Sequence, residues 1–368
     1  MISFNWFLLL IFSYFLLLFG YLHFSDIEDI KNNFLGFGAL FFVFIHLLIF
    51  LNLMYQDPHL MSNITRMWEL ILGMPLLFIG SLMIMWSGLV LVYKAIFGSK
   101  DFSKLEVKSQ EKMMKMEKAK RDSYRKISHV LIFIGLFIVW YLAVDYVKNS
   151  GEPWVGMTPA ENNMLKLYFR IISERCVIKD IILSLGWFYT LIFVFFYSLC
   201  MLFLVNEITR KTKYFRFPFN LLPKMVMTED EIKSYGTYLY FAIGQMFAAF
   251  LCPPMVYFAI LGMSSIGDLM TSQIGIRFGK RKILWNKKKT WMGNIAGTIT
   301  SFLICYIFVG LWWSLIFTIA FICIDLFTNE PFKVSDNLLI PIGCTILFVL
   351  LRFYLDLNYV SLILNFVK

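Results

Sequence analysis

A carboxylate within an otherwise apolar segment is the first feature of this sequence that could do chemistry. Asp268 lies in a short stretch of small polar residues that interrupts a long apolar run. A charge in such a run is energetically costly, so Asp268 is a candidate functional residue, and a carboxylate there can bind a divalent metal ion. The alternative is a residue that hydrogen-bonds a neighbouring helix, with Gly275 and Gly279 as positions of close packing or helix capping.

The segment that follows Asp268 is strongly basic and ends where another helix is predicted to begin. Residues 280–294 carry six cations, among them Lys280, Lys288 and Lys289, followed by the Thr290 hydroxyl and Gly293. A helix N-terminus presents free N–H groups and lysines add mobile positive charge, so this segment favours phosphate. It does not have Walker A spacing. The alternative is a loop that only orients the chain in a membrane.

A third polar cluster runs from Asp325 through Glu330 to the pair Asp336 and Asn337. Its acids are candidate metal ligands together with Asp268. The alternative is that Asp336 and Asn337 cap the helix that follows them.

A fourth polar element, Arg125, Lys126 and His129, begins another apolar run. Arg125 and His129 are four residues apart and share one helix face. His129 is a candidate catalytic residue, and the alternative is a structural histidine beside a basic orientation signal.

These four elements together suit a metal–nucleotide. Phosphoryl transfer needs a metal ion to bridge phosphate oxygens, cations to spread the developing charge, and a base beside the acceptor hydroxyl. A lipid alcohol as acceptor would place such a site at a membrane surface.

The composition indicates a membrane protein. Of 368 residues, 59% are hydrophobic and 16% are charged, which excludes a soluble enzyme of the Rossmann or barrel class. Six cysteines stand singly, without the spacing of a zinc site. The net charge of +10 falls mainly in loops, so membrane lipids and not nucleic acid are the predicted partners.

The predicted fold is an all-α polytopic helix bundle with about eleven transmembrane helices, the N-terminus outside and the C-terminus cytoplasmic. Three basic loops, 98–128, 206–235 and 275–292, fall on one side in this arrangement. The predicted divisions are an accessory N-terminal block at 1–97, a basic cytoplasmic linker at 98–124 and a catalytic core at 125–368. The predicted spans are 4–24, 35–55, 70–97, 129–147, 178–205, 237–252, 254–274, 293–310, 311–327, 339–353 and 355–367.

The order of these motifs resembles the CTP-dependent polyprenol and lipid kinases, the family of dolichol kinase, phytol kinase and the CTP-dependent diacylglycerol kinase. The resemblance covers roughly 125–353, and the sequence has Met292 where that family has a glutamate. The matching residues, in chain order, are Arg125, Lys126, His129, Gly267, Asp268, Gly275, Gly279, Lys288, Lys289, Thr290, Gly293, Asp336, Asn337 and Pro341.

The resemblance implies a membrane enzyme that transfers a phosphoryl group from CTP to a dolichol-like or other long-chain alcohol, with Mg²⁺ or a similar ion. It implies that Asp268 is the metal or catalytic acid, and that Gly275 and Gly279 let backbone approach the nucleotide. Lys288, Lys289 and Thr290 would contact phosphate, and Asp336 and Asn337 would complete the site. The membrane would be the endoplasmic reticulum in a eukaryote or the cell membrane in a prokaryote, with the site on the cytoplasmic side.

Two other functions stay open on the sequence alone. A CTP:phosphatidate cytidylyltransferase-like enzyme would make a CDP-lipid, and a transporter would use its intramembrane charges in a polar pathway. The lipid alcohol and the oligomeric state, for which a homodimer is one alternative, are also open.

Overall fold

The structure is a computed structural model and describes residues 20, 30–56, 78, 81–82, 84–96, 111, 116–150, 192–207, 235–328, 332–355, 357 and 359–363. This part of the chain is mostly helical. The long helices are α1 (Ile30–Gln56), α2 (Lys118–Ser150), α3 (Thr237–Leu251), α4 (Pro254–Gly262), α5 (Asp268–Phe278), α6 (Trp291–Phe327) and α7 (Asp336–Leu355). A π-helical turn, Met263–Gly267, joins α4 to α5, and strands β1 (Lys282–Ile283) and β2 (Asn286–Thr290) precede α6.

Among the described residues, three apolar helical stretches are long enough to cross a membrane: Ala119–Leu142, Pro254–Phe278 and Trp291–Phe327. Shorter apolar helices include Ile84–Ile96 and Ile192–Glu207. The total of eleven spans therefore stays a prediction. The predicted spans 4–24, 70–97, 178–205 and 355–367 lie wholly or partly outside the described residues.

The chain divides into two compact units, and the first comprises Met1–Arg121 and Tyr197–Ala242. Its buried polar contacts join distant segments. The hydroxyl of Tyr240 donates to Asn33 Oδ1 at 3.0 Å, and the hydroxyl of Tyr238 donates to the buried carboxylate of Glu207. The predicted division into N-terminal block, linker and catalytic core is a functional one and stays a prediction.

The second unit comprises Asp122–Phe196 and Ile243–Lys368, and its centre is the continuous helix from α4 to α5. Pro254 starts this helix at a position where a missing N–H costs nothing. Helix α2 packs against it in the antiparallel direction, because Phe137 contacts Phe258 whereas Asp122 accepts a hydrogen bond from Gln273 at 3.1 Å.

Helix α6 reverses direction at Gly310, where φ is 77° and ψ is −176°. Asn294 and Asp325 are 31 residues apart yet hydrogen-bonded at 2.7 Å, whereas a straight helix would separate them by about 46 Å. The 37-residue stretch is therefore a helical hairpin with two arms, 291–309 and 311–327. Each arm is roughly 26–29 Å long, close to the thickness of the hydrocarbon layer. The two predicted spans, 293–310 and 311–327, meet at this turn.

The outward face of this hairpin is apolar. Exposed side chains recur every four residues along both arms: Ile295, Ile299, Leu303, Ile307, Leu311, Leu315 and Ile319. Such a continuous apolar stripe is suited to contact with lipid.

Gly310 should be the position of α6 that is least tolerant of a side chain. Its φ and ψ fall in a region essentially restricted to glycine, and an added Cβ would lie 2.6 Å from the Val360 carbonyl oxygen. We expect Gly310→Ala to destabilise the protein by about 1–3 kcal/mol, measured by thermal unfolding in detergent. The control is Gly135→Ala in α2, where nothing lies within 4 Å of the new Cβ. If Gly310→Ala and Gly135→Ala were equally stable, this would contradict the reversal of α6 at Gly310.

Candidate functional site

The polar ends of α2, α5, α6 and α7 meet at one end of the second unit. Helix α2 and the first arm of α6 both run antiparallel to the central helix, and the second arm of α6 turns back. Trp313 contacts Phe348, whereas a Cβ at Gly343 would contact Ile324, so α7 runs antiparallel to that second arm. The start of α2, the end of α5, both ends of α6 and the start of α7 therefore lie together.

Lys126 and Asp268 form a buried ion pair at this end. The Lys126 ammonium lies 2.7 Å from Asp268 Oδ1 and also donates to the Asp268 backbone oxygen at 3.0 Å. The two side chains are 15% and 6% exposed, so water screens their interaction only weakly. Asp268 therefore has a specific cationic partner 142 residues away in the sequence.

Lys289 forms the second ion pair network. Its ammonium contacts both Asp325 and Asp336, the latter at 2.9 Å, and donates to Thr328 Oγ1 at 3.2 Å. One lysine thus bridges two carboxylates that come from different helices.

Asn294 completes the surroundings of Asp325 and was not among the predicted site residues. Its amide donates to Asp325 Oδ2 at 2.7 Å, and its side chain is buried. The sequence could have indicated this residue, because Asn294 lies one turn inside an apolar helix, where its carboxamide needs a polar partner.

Electrostatics joins the two networks into one cluster, called here the ion cluster: Lys126, Asp268, Lys289, Asp325 and Asp336. Burial alone would lower the pKa of Lys289, but the charges of Asp336, Asp325 and Asp268 raise that pKa well above its usual value. Burial would raise the pKa of Asp336, but Lys289 and Lys126 lower it to about 2. Three carboxylates and two ammonium groups leave one excess negative charge.

The ion cluster does not fit a resident metal ion. Within the described part of the chain, no group of three or more His, Cys, Asp or Glu side chains is arranged to hold one. Asp325 and Asp336 share the Lys289 ammonium, and Lys126 pairs with Asp268. The predicted ligand set of Asp268, Asp325, Asp336 and Glu330 is thus not assembled around a metal; Glu330 lies outside the described residues.

A β-hairpin, absent from the predicted fold, positions Lys289. Strand β1 pairs with β2 through a turn at Leu284 and Trp285. The buried Asn286 side chain donates to the backbone oxygens of Thr328 at 2.5 Å and Leu326 at 3.3 Å, which attaches the hairpin to the end of α6. Lys289 thereby faces the ion cluster.

The other predicted phosphate-binding lysines lie on the outside. Lys288 precedes Lys289 on β2 and is exposed, as is Lys280 before β1. The structure brings neither into the ion cluster.

The glycines predicted to approach nucleotide instead pack two helices together. Gly275 on α5 lies against Thr290 and Gly293 at the start of α6, and Gly279, which caps α5, lies against Thr290: a Cβ on Gly275 would lie 3.0 Å from Thr290 Oγ1. Thr290 caps α6, since its Oγ1 accepts from the Gly293 backbone N–H at 3.2 Å. Gly267 likewise packs against Ser301 of α6.

Gly293→Ala tests this packing role. The new Cβ would lie 3.0 Å from the Gly275 Cα and would also meet the Thr271 backbone oxygen, so α5 and α6 would have to separate. We expect a loss of about 1–3 kcal/mol in unfolding free energy. Gly38→Ala, with nothing within 4 Å of its Cβ, is the control. Unchanged stability with a raised KM for CTP would instead favour nucleotide contact.

The remaining predicted residues lie around the ion cluster. The Asn337 backbone N–H donates to Asp336 Oδ1 at 3.0 Å, and its side chain is buried. Arg125 and His129 are half-buried on α2, next to Lys126 in sequence and one turn away.

In comparisons with protein families, curated proteins and solved structures, no match to this chain was found. The resemblance of its motifs to the CTP-dependent lipid kinases stays a prediction.

Proposed function

We propose that this protein is a CTP-dependent lipid-alcohol kinase of the membrane, acting on a dolichol-like or other long-chain alcohol. The observation that carries the proposal is the ion cluster, which gathers two buried lysines and three carboxylates at one end of a set of long apolar helices. The lysines supply the positive charge that phosphate binding needs, and a carboxylate can accept a proton. A lipid acceptor requires that both kinds of group lie near apolar surface.

In this proposal the lysines exchange partners when the nucleotide binds. Phosphate oxygens of CTP replace carboxylate oxygens as partners of Lys289 and Lys126, because the added negative charge competes for both ammonium groups. Asp268 is thereby released from Lys126 and becomes available as a proton acceptor. His129, one turn from Lys126, is a second candidate for proton transfer.

The chemical step joins the alcohol to the γ-phosphorus. The lipid hydroxyl oxygen forms the new P–O bond, its proton goes to Asp268, and the bond between the γ-phosphorus and the β–γ bridging oxygen breaks to release CDP. Lys289 stabilises the charge on the transferred group. Mg²⁺ would arrive on the CTP phosphates as part of the substrate.

The wider membrane arrangement belongs to the same proposal. Eleven spans would place the ion cluster on the cytoplasmic side, where CTP is available, in the endoplasmic reticulum or the cell membrane. The exposed apolar stripe of α6 would border the lipid that supplies the alcohol.

The deciding experiment incubates purified full-length protein with labelled CTP, Mg²⁺ and a panel of polyprenols, phytol and diacylglycerol. We expect CDP and a lipid monophosphate. Release of pyrophosphate with a CDP-lipid would assign the cytidylyltransferase function instead. Absence of either product, with flux of a charged solute through liposomes, would favour the transporter.

A further inference from the structure

The tip of the β-hairpin carries apolar side chains into a strongly basic surface. Leu284 is 85% exposed and Trp285 is 42% exposed, although both are large and apolar. The cations around them are also exposed: Arg277, Lys280, Arg281, Lys282, Lys287 and Lys288. No acidic residue occurs in the sequence between Asp268 and Asp325. The surface therefore combines exposed apolar side chains with a high density of positive charge.

The position of Trp285 is fixed by its neighbours. Its ring stacks on Phe327 at a centroid distance of 6.0 Å and meets Trp291 edge-on at 6.3 Å. Its indole N–H donates to the Leu326 backbone oxygen at 3.2 Å. The hairpin tip is thus attached to the first and last residues of α6.

This attachment determines the depth of the tip relative to a bilayer. The two arms of α6 each match the thickness of the hydrocarbon layer, so their shared end lies at the boundary between hydrocarbon and headgroups. Trp and Tyr favour this level, because their rings combine an apolar body with a polar N–H or O–H. The cations of the hairpin would then lie among lipid phosphates.

We propose that the β-hairpin is a docking surface for anionic phospholipid headgroups, with Leu284 and Trp285 inserted into the bilayer interface. Charge complementarity selects anionic over zwitterionic lipid, and the apolar tip selects a bilayer over a soluble polyanion. Lys289 takes no part, because Asp325 and Asp336 hold its ammonium in the ion cluster. The inference does not depend on the enzymatic activity.

The experiment places a dye on the tip of the full-length protein. Leu284→Cys is labelled with a polarity-sensitive fluorophore, after Cys176 and Cys323 are replaced by Ser, in nanodiscs of phosphatidylcholine with or without phosphatidylglycerol. We expect a shift to shorter wavelength and quenching by headgroup-proximal spin-labelled lipid, both larger with phosphatidylglycerol and both reduced by high salt. Equal signals in the two lipid compositions would overturn the proposal.

Matched charge variants distinguish the effect of this surface from the effect of the protein's net charge. Arg281→Gln/Lys282→Gln/Lys287→Gln should weaken the preference for phosphatidylglycerol by about fivefold per cation, from a contribution of about 1 kcal/mol each. The control removes three exposed lysines elsewhere, Lys31→Gln/Lys94→Gln/Lys120→Gln, and should retain the preference. Equal losses in both triple variants, or loss of the lipid effect on adding inorganic phosphate at constant ionic strength, would contradict headgroup docking.

Discussion

Asp268→Asn is expected to reduce CTP-dependent lipid phosphorylation by about 10²- to 10⁴-fold, because the amide cannot accept the proton of the alcohol. The same change leaves Lys126 buried without its carboxylate. Removing one partner of a buried pair costs about 3–5 kcal/mol, so the variant should also be less stable. Activity and thermal unfolding must therefore be measured on the same preparation.

The double variant Lys126→Met/Asp268→Asn separates these two effects. It removes both charges, so we expect most of the lost stability to return while activity stays low. If Asp268 and Lys126 were only a structural pair, the double variant would recover activity along with stability. That outcome would reduce Asp268 to a structural residue and leave His129 as the remaining candidate base.

Lys289→Met is expected to cause the largest loss of stability among single lysine changes in the β-hairpin. It removes the cation that the buried Asp325 shares with the partly buried Asp336. We expect a loss of about 3–5 kcal/mol, measured by thermal unfolding in detergent. The adjacent exposed lysine gives the matched control, since Lys288→Met should change stability by no more than about 0.5 kcal/mol.

At acidic pH, the pH dependence of the stability of Lys289→Met should have the opposite sign to that of the wild type. In the wild type the pKa of Asp336 is about 2, below its ordinary 3.8, so its stabilisation is complete above 3.8 and disappears as the pH falls through 2. Without Lys289, the largest opposing charge is gone, so we expect burial to outweigh the effect of Lys126 and raise this pKa above 3.8. The folded variant then binds protons more readily than the unfolded chain, and it should gain stability as the pH falls from 7.

Loss of stability in both lysine variants alike, or a Lys289→Met protein that weakens steadily on acidification from pH 7, would contradict this account of the ion cluster. Either result would mean that the charge of Lys289 is not what holds Asp325 and Asp336 in place.

The long apolar elements were predictable because their sequences carry a strong signal. The runs on either side of Gly310 predict two spans, and the structure confirms two helical arms that meet there. Counting such spans also places Lys126, Asp268 and Lys289 at one end of the bundle. The sequence could not indicate which lysine meets which carboxylate, since the partners of Asp268 and Lys289 lie far away along the chain.

The β-hairpin and the inward direction of Lys289 were not predictable from this sequence. A turn at Leu284 and Trp285 has none of the glycine or asparagine that usually identifies a tight hairpin. Without the hairpin and its contacts there was no basis for separating Lys288, which is exposed, from Lys289, which contacts Asp325 and Asp336. Likewise, the sequence predicts nucleotide contact for Gly275 and Gly293, but it could not indicate that each packs against the other helix, as the structure shows.

The long separation between Lys126 and Asp268 has a consequence for biosynthesis. A ribosome adding about 5–20 residues per second needs roughly 7–30 s to make the 142 residues between them. During that interval Lys126 lies near the start of an apolar helix, and its partner Asp268 has not yet been synthesised. A long flexible lysine can extend its ammonium toward the aqueous interface from such a position, whereas a short aspartate cannot. Because Lys126 is made before Asp268, the charge that is temporarily unpaired in the nascent chain is the less costly of the two. Asp268 is synthesised when its partner is already present.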